Sequence, residues 1–448
     1  VTPPRKNKYV SPPNENRIVG GRPWWERYQP VSYKIGTRSG DRAAFENMVD
    51  RCNSVGVRIY VDAVVNHMCG GDGGSSTQGT AGSTCYPDSE GFPAVPYSSL
   101  DFNDGNCNTA SGDIENYGDA AQVRNCKLVG LLDLNQGTDY VRGRIIEFMN
   151  DMLSLGVAGF RVDACKHMWP GDLEVIFGSL NDLSTAKGFS GGSRPYIYQE
   201  VIDQGVGEPI TADQYFSCGA VTEFKYGVNL GNNKNSIQYL ENFGESWGMM
   251  PGGNALVFLN NHDNQRGHGG GGNIITFEDP FNLKIFTAYM MAWPYGVPRV
   301  MSSYYFSVGE DSNSDEGPPS NQRSINADGS CGNGWVCEHR WRQIKNMMGF
   351  AVAAQGQGVS NWWSNGQQIA FSRGDRAFLA INHDGYTLSE NLQTGMPAGD
   401  YCNVNSGEYS NNQCTGECIS VGSDGYAYIN IGATEDPVVA IHVNAPCN

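Results

Sequence analysis

From Asp41 onward apolar residues recur at helical spacing, with Phe45, Met48, Val49 and Cys52 on one face and Gly56 following as a stop. The pattern then becomes a strand over Val57–Ala63, which carries Asp62 and runs into Asn66 and His67. The same unit returns later. Tyr140, Ile145, Met149, Met152 and Leu153 keep a helical period, Gly156 stops it, and Val157–Asp163 reads as a strand ending in an acid. A third strand, Tyr196–Gln199, leads into Glu200, and a fourth, Ala255–Asn260, leads into His262 and Asp263. Strands near Val221–Phe224 and Pro298–Met301 complete the series.

Helix alternating with strand, with acids collected at strand C-terminal ends, predicts a (β/α)8 TIM barrel whose chemistry lies at those ends. A doubly wound sheet also fits the alternation, but no GxGxxG opens a helix and the acids come from several strands. The stretch from Cys69 to about Leu131 is too long for a loop and is rich in Gly, Ser, Cys and Tyr, so it predicts a small inserted domain. After about Asn361 the pattern changes to short alternating runs, Gln368–Ser372, Ala377–Asn382 and Tyr426–Ile431, which predict an all-β C-terminal domain. The expected division is barrel over 1–67 and 134–360, inserted domain B over 68–133, and a C-terminal β sandwich over 361–448.

Composition narrows the function. The 448 residues include 30 Lys and Arg against 47 Asp and Glu, a net charge of −17 that repels nucleic acid and anionic lipid. No apolar run is long enough for a membrane span, and the start VTPPRKNKYV has neither Met nor a signal-type core, which reads as a processed or cut terminus. Thirteen cysteines without a CxxC pair fit a secreted, disulfide-bonded protein with at least one thiol left over. Cys331 with Cys337 and Cys402 with Cys414 are the most bridge-like pairs by spacing.

Asp163, Glu200 and Asp263 on one barrel face would equip it for glycosidic-bond chemistry: a nucleophile, a protonated acid and a group that orients substrate. Each alone reads better as a capping or salt-bridging carboxylate; three at consecutive strand ends reverse that and favour catalysis. Arg161, two residues before Asp163, falls on the same side of its strand and can hold a neighbouring carboxylate ionised. Trp24, Trp25, Tyr28 and Tyr117 fall in predicted loops, where aromatic rings can pack on sugar rings or simply on the protein. Asn66, Asp133 and a carbonyl near His167 offer oxygen ligands to a hard cation such as Ca²⁺. His67, His167 and His262 lack zinc-type spacing, and no GxSxG stands at a strand-to-helix turn as a serine nucleophile would require.

The blocks DAVVNH (Asp62–His67), GFRVDACKH (Gly159–His167), EVID (Glu200–Asp203) and FLNNHD (Phe258–Asp263) closely resemble the α-amylases of glycoside hydrolase family 13. The resemblance extends through SPPNEN, RPWWERYQPVSY, HMWPGD, VTEFKYG, HDNQRGHG, PYGVPRVMSSY and CEHRW, and is strongest to the animal, chloride-activated subgroup. It implies Asp163 as nucleophile, Glu200 as general acid/base and Asp263 as transition-state stabiliser. Arg161, His67, His262 and Asp62 would line the subsite around the cleaved bond. Trp24, Trp25, Tyr28, Tyr117, Lys166, Glu208 and His268 match glucan-contacting positions, and Gly267–Gly272 a mobile loop. Calcium is implied at Asn66, Asp133 and the Arg124 and His167 carbonyls, and chloride at Arg161, Asn261 and Arg299. The partners implied are starch, glycogen and malto-oligosaccharides, for a secreted, monomeric enzyme.

Departures from the family pattern set further expectations. A first barrel strand and helix should precede SPPNEN, where this chain has only VTPPRKNKY, which is basic, proline-bearing and unlike a strand. The barrel is therefore expected to lack that unit, which raises a rival reading: a non-catalytic, glucan-binding fragment. A transglycosylating relative is a third reading. Cys52 is expected to lack its partner, and Gly36, at a half-cystine position, to orphan Cys85. Cys107 with Cys126 is expected to be bonded, while the pairing of Cys418 and Cys447, which could add a C-terminal bridge, stays open. Asn260 replaces an acid often found there.

Overall fold

Ile59, Tyr60 and Val61 are fully covered, so the strand Arg58–Ala63 must have neighbours on both faces, as in a parallel sheet layered by helices. The computed structural model describes residues 7–71, 73–74, 76–307, 315–320, 323–434 and 436–447. Its contacts divide the chain into two units, one of 1–222 with 315–318, the other of 223–314 with 319–448.

In the first unit parallel strands follow one another in the order Asn7–Val10, Arg58–Ala63, Gly159–Val162, Tyr196–Gln199 and the strand opening at Ala220. Helices Arg42–Ser54, Asp139–Ser154 and Pro170–Gly178 fill the connections. Asp41 and Thr138 cap the first two by accepting from the amides of Ala44 and Val141. Helix Asp139–Ser154 buries Val141, Ile145, Phe148, Met149, Met152 and Leu153, the spacing of one face. Tyr140, expected on that face, points outward and donates to the Pro96 carbonyl at 2.8 Å. Helix Arg42–Ser54 buries only Val49, with Phe45, Met48 and Cys52 half-covered.

One expectation is overturned. Asn7–Val10, read from sequence as unlike a strand, pairs in parallel with Arg58–Val61. The Tyr9 ring stacks on Tyr60 at 5.1 Å and meets Tyr198 edge-on at 5.1 Å, so tertiary pairing outweighs the basic composition. Strand ends also differ from the expected ones: Gly159–Val162 stops before Asp163, Ala255–Val257 well before Asp263, and the last strand is Val297–Pro298. Phe224 opens a helix, Phe224–Asn232, rather than closing the strand Ala220–Glu223.

Between His67 and Asp133 regular structure is sparse. Thr77–Gln78 pairs with Thr84–Cys85, His67–Met68 with Leu132–Asp133, and Cys107 is bonded to Cys126. In the second unit Ala255–Val257 pairs in parallel with Val297–Pro298, and helix Pro280–Ala292 is buried along almost its whole length. Its C-terminal part is all β: Val359–Asn365, Gln368–Arg373, Ala377–Asn382 and Val438–His442 form an antiparallel sheet, with Leu388–Gln393 and Tyr426–Ile431 forming another. Phe378, Ala380 and Ile441 from the first pack with Leu388 and Ile429 from the second, the core of a sandwich. Cys331 with Cys337, Cys402 with Cys414 and Cys418 with Cys447 are bonded, while Cys52, Cys69, Cys85, Cys165 and Cys218 remain thiols. No helix among the described residues is long and apolar enough to cross a membrane.

Candidate active site

Arg161 stands opposite Asp62 in the sheet register, and side-chain alternation puts Asp163 on the same side. The Arg161 guanidinium, buried, is shared by three carboxylates. Nη1 donates to Asp62 at 2.6 Å and to Asp163 at 2.8 Å, and Nη2 donates to Glu200 at 2.5 Å. Just past the strand, Ala164 adopts φ 52°, a left-handed conformation that a residue with a Cβ seldom takes. The amide of Ala164 donates to the second Glu200 oxygen at 3.0 Å. Nothing in the sequence marked Ala164 as part of the site.

One guanidinium cannot balance three ionised carboxylates buried this deeply. Burial pushes the Asp163 carboxyl well above its usual range, against the pull of Arg161, and burial raises Asp62 as well. Burial opposes the charge on Arg161, but Asp62, Glu200 and Asp163 more than offset it and hold the guanidinium ionised.

The Tyr28 hydroxyl donates to Asp62 at 2.8 Å, and His67 Nε2 meets the Tyr28 carbonyl at 2.9 Å. Burial lowers His67 to a pKa of about 4, so its imidazole is neutral. Trp24 and Trp25 lie half-buried in a 3-10 turn with Tyr28, and Trp25 Nε1 donates to Asp315 at 2.9 Å. Lys166 pairs with Glu208 and donates to the Ile202 carbonyl at 2.8 Å; its ammonium lies 5.6 Å from the exposed Tyr117 ring. These residues all belong to the first unit, with the acids.

The other expected residues lie in the second unit. Asn261 Oδ1 accepts from the amides of Asp263 at 3.0 Å and Asn264 at 2.7 Å, a turn that fixes where Asp263 begins. His262 Nε2 lies 3.3 Å from the Asp263 carboxylate, and the His268 amide donates to the Asp263 carbonyl. Asn260 anchors through Nδ2 to the Ile275 carbonyl at 2.7 Å. Arg299 follows Val297–Pro298 and donates its amide to Val257 at 2.8 Å. Gly267 and Gly269–Gly272 all have positive φ, from 64° to 101°, backbone that side chains would oppose.

Asn66 and Asp133 meet where His67 pairs with Asp133. Asn66 Oδ1 and Asp133 Oδ1 are buried and accept no hydrogen bond, and burial holds the Asp133 carboxyl well above its usual range. Buried acceptors left without donors are costly. Asn103 Nδ2 holds the other Asp133 oxygen at 2.8 Å, and Gln136 Nε2 holds the Asn66 carbonyl at 3.1 Å; neither was foreseen from sequence. His167 Nδ1 meets the Val123 carbonyl at 2.9 Å, tying the Cys165–His167 turn to helix Ala120–Asn125, which carries Arg124. The Arg124 side chain turns away to Gln214 and Tyr215. Two orphaned oxygens, one a carboxylate's, fit a hard cation.

A family model described as "Alpha amylase, C-terminal all-beta domain" matches residues 362–444. Human alpha-amylase 1B is 56% identical over 455 residues, covering 97% of this chain and 89% of that protein. The structure of wild-type alpha-amylase I from Eisenia fetida superimposes with a TM-score of 0.91 at 48% identity, covering 97% of this chain and 91% of the other. A variant of that enzyme, solved in complex with maltohexaose, gives 0.90 at the same identity and coverage.

Proposed function

The chain belongs to the animal α-amylases of glycoside hydrolase family 13, endo-hydrolases of starch on a (β/α)8 barrel, and from that premise we propose how its own residues carry the reaction. Asp163 attacks the anomeric carbon of an internal α-1,4-linked glucose while Glu200 gives its proton to the departing oxygen. Glu200 then takes a proton from water, whose oxygen displaces Asp163 with net retention. The observation that carries this assignment is the Arg161 fork: one guanidinium bonded to both carboxyls keeps them within a short span, which suits the ~5–5.5 Å of a retaining pair. Arg161 favours the ionised form of the nucleophile, and Glu200, positioned by Arg161 Nη2 and the Ala164 amide, is the proton donor of the first step. Asp263 grips sugar hydroxyls in the transition state, with His262 beside it.

Asp62, Tyr28 and His67 orient the sugar at the cleaved bond, and Trp24, Trp25, Tyr117, Lys166, Glu208 and His268 hold the glucan on either side. Glycogen and malto-oligosaccharides share the linkage and are the further substrates. Asn66, Asp133 and the Arg124 and His167 carbonyls hold calcium, supported by the orphaned oxygens. When bound, calcium would supply the countercharge that the buried Asp133 carboxylate lacks and would brace 68–133, which we assign as an inserted domain, against the barrel of 1–67 and 134–360. Residues 361–448 form the C-terminal domain. Arg161, Asn261 and Arg299, two guanidiniums and an amide, have the donor chemistry of a chloride site. Four disulfides support a secreted enzyme.

The intact acid group disfavours the non-catalytic reading. Purified chain added to soluble starch should abolish iodine colour while few reducing ends have appeared, as endo cleavage requires, and Glu200→Gln should do neither. Iodine colour that persists as reducing ends accumulate would refute internal cleavage.

A further inference from the structure

Five thiols remain outside the four disulfides, and two of them touch. Cys69 Sγ and Cys85 Sγ lie 3.6 Å apart, both fully buried, with Cys85 Sγ 3.7 Å from the Thr77 carbonyl. The buried Cys165 and Cys218 sulfurs are instead directed at the backbone carbonyls of Val162 at 3.3 Å and Pro170 at 3.5 Å. We propose that Cys69 and Cys85 are a covalent modification site of this chain and form a further disulfide.

The surroundings place both cysteines on fixed backbone. The Cys69 amide donates to the Pro30 carbonyl at 2.9 Å and directly follows the pair His67–Met68 with Leu132–Asp133; Cys85 stands opposite Thr77 in its own two-stranded pair. Closing the gap to the ~2.05 Å of a disulfide requires the sulfurs to approach by about 1.5 Å, within the reach of side-chain rotation. Position 36 offers Cys85 no alternative. Gly36 has no sulfur, and a Cβ built there would come within 2.8 Å of the Ala81 methyl. The bond would tie the Thr77–Cys85 hairpin to the chain immediately after Asn66 and His67, beside the Asp133 cradle.

Each thiol gives up a proton, and together they give up two electrons. The oxidant is a low-molecular-weight disulfide such as oxidised glutathione. One cysteine attacks it to form a mixed disulfide and releases one small thiol, and the other cysteine displaces the second. Because both sulfurs are buried in the folded protein, the exchange belongs to folding, before the hairpin closes.

The test is peptide mapping of the full chain, refolded with a glutathione redox pair, alkylated under denaturing conditions without reductant, and digested. The expected result is a linked peptide joining Cys69 to Cys85, lost on reduction, with Cys52 alkylated. Alkylation of both Cys69 and Cys85, or Cys85 linked to any other cysteine, would overturn the proposal. Cys69→Ala and Cys85→Ala supply an independent measurement: each should lower the melting temperature by the same amount, and the double variant no further. Additive losses would mean that each thiol acts only through packing. Should either variant fail to fold, the wild-type map alone decides.

Discussion

Replacing Asp163 by Asn should remove the reaction and strengthen the fold. The amide oxygen of Asn can still accept from Arg161 Nη1, which now reaches Asp163 at 2.8 Å, so the geometry survives and only the charge is lost. At an effective dielectric of ~20, a unit charge ~4 Å away contributes about 4 kcal/mol and one ~5.5 Å away about 3 kcal/mol. An ionised Asp163 thus gains about 4 kcal/mol from Arg161 and loses about 3 kcal/mol to each ionised neighbour, Asp62 and Glu200, on that same scale. Even with only one neighbour ionised the balance is about 1 kcal/mol in favour, which the several kcal/mol of desolvating a buried carboxylate outweigh. The raised pKa of Asp163 expresses that cost. The folded state holds this proton more tightly than the unfolded chain, so the cost is absent below the unfolded value of ~3.9 and grows as pH rises toward the folded one. Asp163→Asn should therefore melt a few degrees higher than wild type at pH 7, an advantage that shrinks toward pH 4. Release of reducing ends from starch should fall ~10⁴-fold or more. Activity within tenfold of wild type, or a lower melting temperature at pH 7, would refute the reasoning.

Three further outcomes follow from the same geometry. Chelation should lower the melting temperature, by an amount equivalent to ~2.7 kcal/mol when free calcium had stood at 100 times its dissociation constant, and Asp133→Ala should be indifferent to chelator; an equal chelator response in the variant would exclude Asp133 as a ligand. Removing chloride should reduce activity, and Arg299→Gln, which removes one cationic donor, should blunt that dependence; equal activity with and without NaCl would contradict the site. Tyr28→Phe removes the 2.8 Å hydrogen bond to Asp62 and should lower kcat/KM roughly tenfold, with unchanged melting as the control; a loss under twofold would show that this contact does not position Asp62.

The helices and buried strands were legible because one pattern, period 3.6 then a short apolar run, repeats and ends each time in an acid. The same reading placed Asp163 and Glu200 at strand ends, where the structure joins them through Arg161. Asn7–Val10 was misread because its strand character comes from Tyr60 and Tyr198, distant in sequence, and not from its own composition. Strand ends were overextended for a related reason: Asp163 directly follows one apolar run, and Phe258 and Leu259 continue another, but the backbone leaves the sheet at Val162 and Val257. Ala164, Asn103 and Gln136 carry no motif, since what they contribute is an amide direction or a hydrogen bond set by the fold. The contact between Cys69 and Cys85 likewise depends on the hairpin at Thr77–Cys85, which spacing alone does not specify.

The central claim is that Asp163 and Glu200 cleave internal α-1,4 bonds by double displacement. Proton NMR of the first products formed from a malto-oligosaccharide, recorded before mutarotation, tests it most directly. The account predicts that the new reducing end appears as the α-anomer, relaxing afterwards to the equilibrium mixture. First appearance of the β-anomer would mean direct attack by water, with Asp163 acting as a base, and would contradict the account.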